Sequence, residues 1–398
     1  MNILFLGHVY PPERVDYIKS VSCYFDNAAN VLQLALLEGL DHYANVMVVS
    51  NPKMKIKQFK FPKFSYKHNE GLSHNDVILG FYSIPYFDKL FDARRKVKEV
   101  EKQGFIPDVI FLYNIRLEDL RAAYSLKKKY PNVVVVEVIT DLPQYMRGNQ
   151  SALYKRLKAV ETKLTYDLMR DTVDGFVLLS VHMKEFVPVE NKPFVIVEGI
   201  FHPEAVDNND AAKYSEKVVF YSGQLGSRFG ILDLVNAFEL INNPTYRLWL
   251  CGNGDTVERI KEVSKEDSRV QYLGSLPRKQ VLEIQKKATL LVNPRHSKEV
   301  YTKYSFPSKT MEYMASSTPT LMSPLASLPE DYKKHLFLFD DESVEGMSKK
   351  ISEICEKPSA ELERFGKDAQ NFILENKTSK TQCARIVKLI EQIIASKK

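Results

Sequence analysis

The chain has 398 residues, 44% hydrophobic and 27% charged, the balance of an ordinary water-soluble folded protein, which excludes a disordered or collagen-like chain. Its 56 Lys+Arg against 50 Asp+Glu leave a net charge of +6, too small over this length to make nucleic acid the leading partner. At about 100 to 200 residues per domain, the length predicts two or three domains.

Short β-rich apolar runs recur at 3–7, 46–50, 77–82, 109–113, 133–140, 176–180 and 194–197, separated mostly by helix-like patterns. Continuous apolar strands alternating with helices predict a parallel sheet covered on both faces. The polar stretch 201–216 lacks periodicity, and the alternation restarts with 218–222, 247–251, 270–274 and 289–293, with helices near 231–241, 257–263, 279–287 and opening near Ser308. We therefore expect an α/β fold of two Rossmann-like domains, 1–202 and 203–377. The segment 378–398 is predicted to be a helix packing back on the first domain. Cys383, Ile386, Val387, Ile390, Ile393 and Ile394 repeat at helical spacing there, and Ser379 with Gln382 has the form of a capping box. Ligands of open parallel sheets bind beyond the carboxyl ends of the strands, so two such domains facing each other would form a central cleft.

The four cysteines, Cys23, Cys251, Cys355 and Cys383, are far apart and form no C-x-x-C pair, the pattern of thiols in a reducing cytosol. The first apolar stretch, 3–6, is short and lacks a basic flank, and no run reaches the roughly 18 apolar residues of a membrane span. A cytoplasmic protein is the expectation.

After the first strand the chain reads Gly7-His8-Val9-Tyr10-Pro11-Pro12, neither G-x-G-x-x-G nor a Walker A loop, which argues against dinucleotide dehydrogenases and P-loop enzymes. Asp26 or Asn27 is expected to cap the following helix. Cys251-Gly252-Asn253-Gly254-Asp255 follows a strand and precedes a helix; its glycines would let backbone approach a ligand, or simply turn the chain. The segment from Asn293-Pro294-Arg295-His296 through Phe306-Pro307-Ser308-Lys309-Thr310-Met311-Glu312 reads as strand, loop and helix. With Ser308 as N-cap, the helix start and the Lys309 charge suit a diphosphate. Glu312, one turn on, suits a sugar diol, or it merely complements its own helix dipole. Asp141, after the long strand 133–140, is a candidate for hydrogen bonding a sugar hydroxyl or accepting a proton, with a loop cap as the alternative.

Tyr221-Ser222-Gly223-Gln224-Leu225 with Phe229-Gly230-Ile231, then Leu248-Trp249-Leu250-Cys251-Gly252-Asn253-Gly254, then Tyr272-Leu273-Gly274, then the N-P-R and F-P-S-K-T-M-E-Y-M-A blocks are colinear over 218–340. In order and spacing they resemble group 1 (family 4) retaining glycosyltransferases, and more narrowly the bacterial capsular and exopolysaccharide branch. The resemblance implies a GT-B fold, a nucleotide-sugar donor, expected to be a UDP-sugar, on the second domain and a lipid-linked saccharide acceptor on the first. It implies no cofactor and no metal, and the sequence holds no D-x-D. Glu312 matches the family's second glutamate, the ribose binder of E-x7-E, whereas Tyr304 stands at the first. Gln224 and Phe229 replace the family's arginine and lysine, so the phosphate charge is expected from Arg228 and Lys309, with Arg295 nearby. The resulting candidates are Asp141, Arg228 and Lys309 for catalysis, and Gly223, Gly252, Gly254, Arg295, Ser308, Lys309 and Glu312 for the donor. Two alternatives stay open: a catalytically silent scaffold partnering another transferase, and a sugar-nucleotide epimerase of the same architecture.

Between 51 and 67 stand six lysines, including Lys53, Lys55, Lys57 and Lys60, with interleaved aromatics and no acid. Such a run fits the surface of an anionic membrane, or a solvated loop.

Overall fold

The computed structural model describes residues 1–22, 26–52, 54, 56–57, 59–82, 87–142, 152–202 and 212–397. Lys53, Lys55 and most of the polar interdomain stretch lie outside the described residues. The chain divides into two compact units, Met1–Ile200 with Ser379–Lys398, and Phe201–Thr378.

The first unit runs β1 (Asn2–Gly7), α1 (Val15–Val21), α2 (Asn27–Asp41), β2 (Asn45–Ser50), β3 (Lys60–Phe61), β4 (Phe64–Tyr66), β5 (Asp76–Ile78), β6 (Phe81–Tyr82) and α3 (Phe87–Lys102). It continues with β7 (Val109–Tyr113), α4 (Leu117–Lys129), β8 (Val134–Ile139), α5 (Ala152–Thr172), β9 (Gly175–Leu178) and β10 (Phe194–Ile196). Its main sheet has the order β10-β9-β8-β7-β1-β2-β5-β4, parallel except where β4 pairs antiparallel with β5. Every residue of β7 and β8 is buried, which is why these strands read as unbroken apolar runs.

The run expected as one strand over 77–82 is two. A side chain at Gly80 would place Cβ 2.8 Å from Lys63 N and 2.9 Å from Phe61 O, so the chain bends there, and β6 leaves the main sheet to pair with β3.

The second unit contains β11 (Lys217–Ser222), α6 (Ile231–Glu239), β12 (Tyr246–Cys251), α7 (Val257–Glu266), β13 (Val270–Tyr272), α8 (Arg278–Lys287), β14 (Leu290–Asn293), α9 (Lys309–Ala315), β15 (Thr320–Met322), α10 (Glu330–Lys333), β16 (Phe337–Leu338), α11 (Val344–Cys355) and α12 (Ser359–Asn376). Its six strands are all parallel, in the order β13-β12-β11-β14-β15-β16.

The last helix, α13 (Ser379–Ser396), belongs to the first unit. Its stripe of Cys383, Ile386, Val387, Ile390 and Ile393 completes the core formed by Leu36, Leu37 and Leu40 of α2 with Val134, Val136 and Val138 of β8. Gly39 makes the approach possible, since a Cβ there would lie 2.3 Å from Ser379 O. Gln382, expected in a capping box, also ties the helix to the chain elsewhere, its Nε2 donating to Gly199 O at 2.9 Å.

On the other face of β8, Glu137 is fully buried and neither carboxyl oxygen has a hydrogen-bond partner among the described residues. Burial pushes its pKa well up, and the Asp119 charge adds to this against a partial offset from Lys192. The fold holds its proton while the unfolded chain releases it above about pH 4.3. The resulting penalty is absent below that pH and grows above it. Glu137→Gln should therefore raise the melting temperature by about 2–4 °C at pH 8, for roughly 1 kcal/mol, and by nothing at pH 4, as followed by thermal denaturation at both pH values.

Candidate donor site

The loops following β11, β12 and β14 carry most of the predicted site residues. Gly223 (φ 155°) follows β11, and Gly252 (φ 139°) follows β12. A Cβ on Gly252 would meet Gly223 O at 1.7 Å, and one on Gly254 would meet Leu225 O at 1.8 Å. What Gly252 and Gly254 admit is the backbone of the neighbouring loop, a structural role alongside the ligand contact expected of them. Leu225 N donates to Asn253 O at 2.8 Å, and Thr256 Oγ1 to Leu225 O at 2.8 Å, locking the two loops.

Gly230 takes a left-handed φ of 74°, and a Cβ there would lie 2.1 Å from Pro294 O. Only glycine fits, and its absence of a side chain brings the loop after β14 onto the one after β11. His296 Nε2 meets Asp233 Oδ2 of α6 at 2.6 Å, and Ser297 Oγ donates to Glu342 Oε2 at 2.7 Å, fixing the same loop from two sides.

Two arginines are thereby brought together. The Arg228 guanidinium lies 4.7 Å from the Phe229 ring and 5.5 Å from the Tyr301 ring; that of Arg295 lies 5.0 and 5.5 Å from the same two rings. Each such contact contributes about 0.5–2 kcal/mol, which helps hold two like charges in one place. Among the described residues neither guanidinium has a carboxylate in ion-pair contact, and Arg295 Nε is buried without a hydrogen-bond partner. Asp255, whose charge interacts with Arg228, is itself engaged by Ser227 N at 2.7 Å and Ser227 Oγ at 2.9 Å. Burial lowers the Arg295 pKa and the neighbouring Arg228 charge lowers it further, against Tyr301 and Tyr221. Tyr221 is pushed up to about 12 by burial, partly offset by Arg295, and so stays a neutral donor to Gln224 O at 3.0 Å. A cationic, aromatic-walled corner short of negative charge suits an anion.

α9 follows the short 3-10 turn Val300–Tyr304 that carries Tyr301. Ser308 stands at the N-cap position, but in helical geometry (φ −53°, ψ −27°) and with no side-chain cap bond, so its expected capping role is not made. Instead Thr310 N donates to Pro307 O at 2.9 Å, a tight turn that uses one of the first-turn donors. Lys309, a candidate for the diphosphate, has a carboxylate partner. Its Nζ lies 2.6 Å from Glu312 Oε1, because i, i+3 spacing puts both side chains on one face, so it neutralises that carboxylate before anything else.

Gln285 Nε2 of α8 donates to the same oxygen at 2.8 Å. Both bonds fall on Oε1, which leaves Oε2 to accept from a ligand. Burial raises the Glu312 pKa, but the Lys309 charge and the Gln285 bond outweigh it, and the carboxyl stays below its ordinary range. Behind it, Tyr313 Oη donates to Ser222 O at 3.0 Å and accepts from Ser222 N at 2.8 Å, pinning α9 to the end of β11.

Asp141 belongs to the first unit, exposed just beyond β8, with Oδ2 accepting from Thr140 Oγ1 at 3.2 Å and Asn114 Nδ2 at 3.4 Å. His8 is buried there, edge-on to Tyr113 at 5.2 Å. Asp26 caps α2 through Ala29 N at 3.2 Å, as the sequence suggests.

Residues 204–372, which hold the glycine loops, both arginines and Glu312, match the family model of glycosyl transferases group 1. In sequence this segment is thus similar to the group 1 glycosyl transferases. Solved structures agree on the architecture over essentially the whole chain. The catalytic domain of Arabidopsis thaliana starch synthase IV, bound to ADP and acarbose, superposes with a TM-score of 0.66 at 9% identity, covering 99% of each chain. Sucrose-phosphate synthase from Thermosynechococcus elongatus gives 0.64 at 17% identity, covering 100% of each. Anabaena HepE in complex with UDP gives 0.62 at 12% identity, covering 98% of this chain and 100% of that one. The expected GT-B fold is thus the one observed. No curated protein matches the sequence.

Tyr301 and Gln285 were not singled out in the sequence. Tyr301 lies 73 residues from Arg228, and Gln285 lies 27 from Glu312, so only the fold joins them. Gly230→Ala should remove more than about 2 kcal/mol of stability through left-handed strain and the clash with Pro294. Denaturant unfolding checks this, and Gly274→Ala, at φ 72° with nothing near its Cβ, should show the strain alone.

Proposed function

We propose that the protein is a retaining, metal-independent glycosyltransferase that moves a sugar from a UDP-sugar to a lipid-linked glycan acceptor in surface polysaccharide synthesis. The observation that carries the donor half is the Arg228–Arg295 pair, two guanidinium groups stacked on Phe229 and Tyr301 without an ion-pair partner among the described residues. Planar guanidinium forks suit the oxygens of a diphosphate and offset the charge that builds on it as the sugar departs. That arrangement takes over what the family assigns to the positions of Gln224 and Phe229, and it supplies the stabilisation for which other transferases use a divalent ion. Lys309 then serves as the group that holds Glu312, and Glu312 Oε2 accepts from the ribose diol.

In the reaction, the bond between the anomeric carbon and the β-phosphate oxygen breaks while an acceptor oxygen bonds to the same face of that carbon. The acceptor proton passes to the departing phosphate oxygen, and Asp141 holds a sugar hydroxyl. HepE in complex with UDP supports the choice of nucleotide, and the likeness of 204–372 to the group 1 glycosyl transferases supports the class of reaction. Among the described helices none is long and apolar enough to cross a membrane, so a lipid-linked acceptor would be met by a peripheral contact. Tyr304, buried where the family has its first glutamate, supports one alternative, a nucleotide-binding subunit without turnover.

Calorimetry with UDP and uridine separates the assigned roles. Arg228→Ala and Arg295→Ala should each weaken UDP by about tenfold or more while leaving uridine unchanged, since a charged hydrogen bond is worth about 1.5–3 kcal/mol. Glu312→Ala and Lys309→Ala should weaken both ligands alike. Unchanged UDP affinity in Arg295→Ala would remove the diphosphate assignment. Donor turnover by the purified protein should persist in excess chelator; UDP binding with no turnover of any UDP-sugar would favour the silent subunit.

A further inference from the structure

The ribbon formed by β3 and β6 has two unlike faces. Phe61 and Phe81 are cross-strand partners stacked at 5.3 Å, and they turn inward to a small core with Tyr10, Ile18, Val21 and Ile56. By the two-residue alternation of strands, the other cross-strand pair, Lys60 and Tyr82, turns outward. Phe59 extends that outer face: its ring lies 5.6 Å from Tyr82, and it is 66% exposed, the most of any large hydrophobic residue among those described. Tyr82 is 38% exposed, with Lys60 Nζ 5.7 Å above its ring.

An exposed phenylalanine beside an exposed tyrosine is costly to keep in water and serves nothing in the core, which Phe61 and Phe81 already fill. The charge of the segment that carries it has one sign. Lys63 is neutralised by Glu99 at 2.6 Å, and Lys67 donates to Leu72 O at 2.7 Å, but Lys57 and Lys60 are exposed and have no ion pair among the described residues. Residues 51–67 contain no acid at all. Beside the ribbon, the Arg14 guanidinium lies over Phe64 at 4.9 Å, and Tyr17, also exposed, packs edge-on to the same ring at 5.6 Å.

We propose that the outer face of this ribbon docks the protein on an anionic bilayer, with Phe59 and Tyr82 entering the headgroup layer and Lys57, Lys60 and Arg14 meeting lipid phosphates. Aromatic rings with one wet edge and unpaired cations on the same face are what such an interface selects. The inference deepens the lipid-linked acceptor reading and rests on it, since it assigns that contact to one surface of the first unit.

Co-sedimentation of the full chain tests it, using vesicles of phosphatidylcholine alone and vesicles in which half the lipid is phosphatidylglycerol. The protein should partition onto the anionic vesicles about tenfold or more above the zwitterionic ones, and added salt should erase the difference. Phe59→Ser, and separately the double variant Lys57→Glu with Lys60→Glu, should each lose about tenfold in partitioning. All these positions are exposed, and unchanged UDP binding checks that the variants remain folded. No binding of the parent protein to anionic vesicles, equal binding to both kinds, or undiminished binding by the double variant would overturn the proposal. Vesicle binding without UDP binding would instead sink the transferase reading and leave this one standing.

Discussion

Two positive groups occupy one corner of the second unit because the chain gives them no alternative place. Gly230, in a left-handed turn with Pro294 O where its side chain would be, presses the loop bearing Arg295 against the one bearing Arg228. Phe229 and Tyr301 then give both guanidinium groups a face to lie on. The remaining anchors, His296 with Asp233 and Ser297 with Glu342, hold the loop without offering a carboxylate to the arginines. Arg295 is largely buried beside the exposed Arg228, and neither has a carboxylate in ion-pair contact among the described residues, an arrangement that favours an anion.

The neighbouring Glu312 shows the complementary arrangement. Its carboxylate is compensated in advance, by Lys309 and Gln285 on one oxygen, so it remains ionised in a largely buried position and keeps its second oxygen for a neutral hydroxyl donor. Positive corner and satisfied carboxylate both lie in the segments that follow the central strands β11 and β14. The first unit manages its interior less economically: Glu137 sits unpaired behind β8, at a cost that the apolar strands around it offset.

Parallel strands buried on both faces leave an unmistakable trace, and so β7, β8, β11 and β12 are legible within a residue or two from apolar runs alone. The trace fails where a backbone contact decides. The bend at Gly80 depends on how near Lys63 and Phe61 come, which no periodicity reports. Gly252 and Gly254 look like ligand-facing glycines because the sequence registers only that a side chain is missing; it does not register that the space is filled by the carbonyls of Gly223 and Leu225. Lys309 was visible as a cation three residues before a glutamate, and helical geometry made the pair inevitable. Tyr301 and Gln285 left no local signal, since each acts through a partner on another element.

In the proposed function, the paired arginines receive the diphosphate of a nucleotide. A crystal structure of the protein soaked with UDP and magnesium tests it most directly. The account predicts phosphate oxygens about 3 Å from the Arg228 and Arg295 guanidinium nitrogens, ribose hydroxyls on Glu312 Oε2, and no metal bridging the phosphates. A diphosphate held by a divalent ion, or bound away from both arginines, would contradict it.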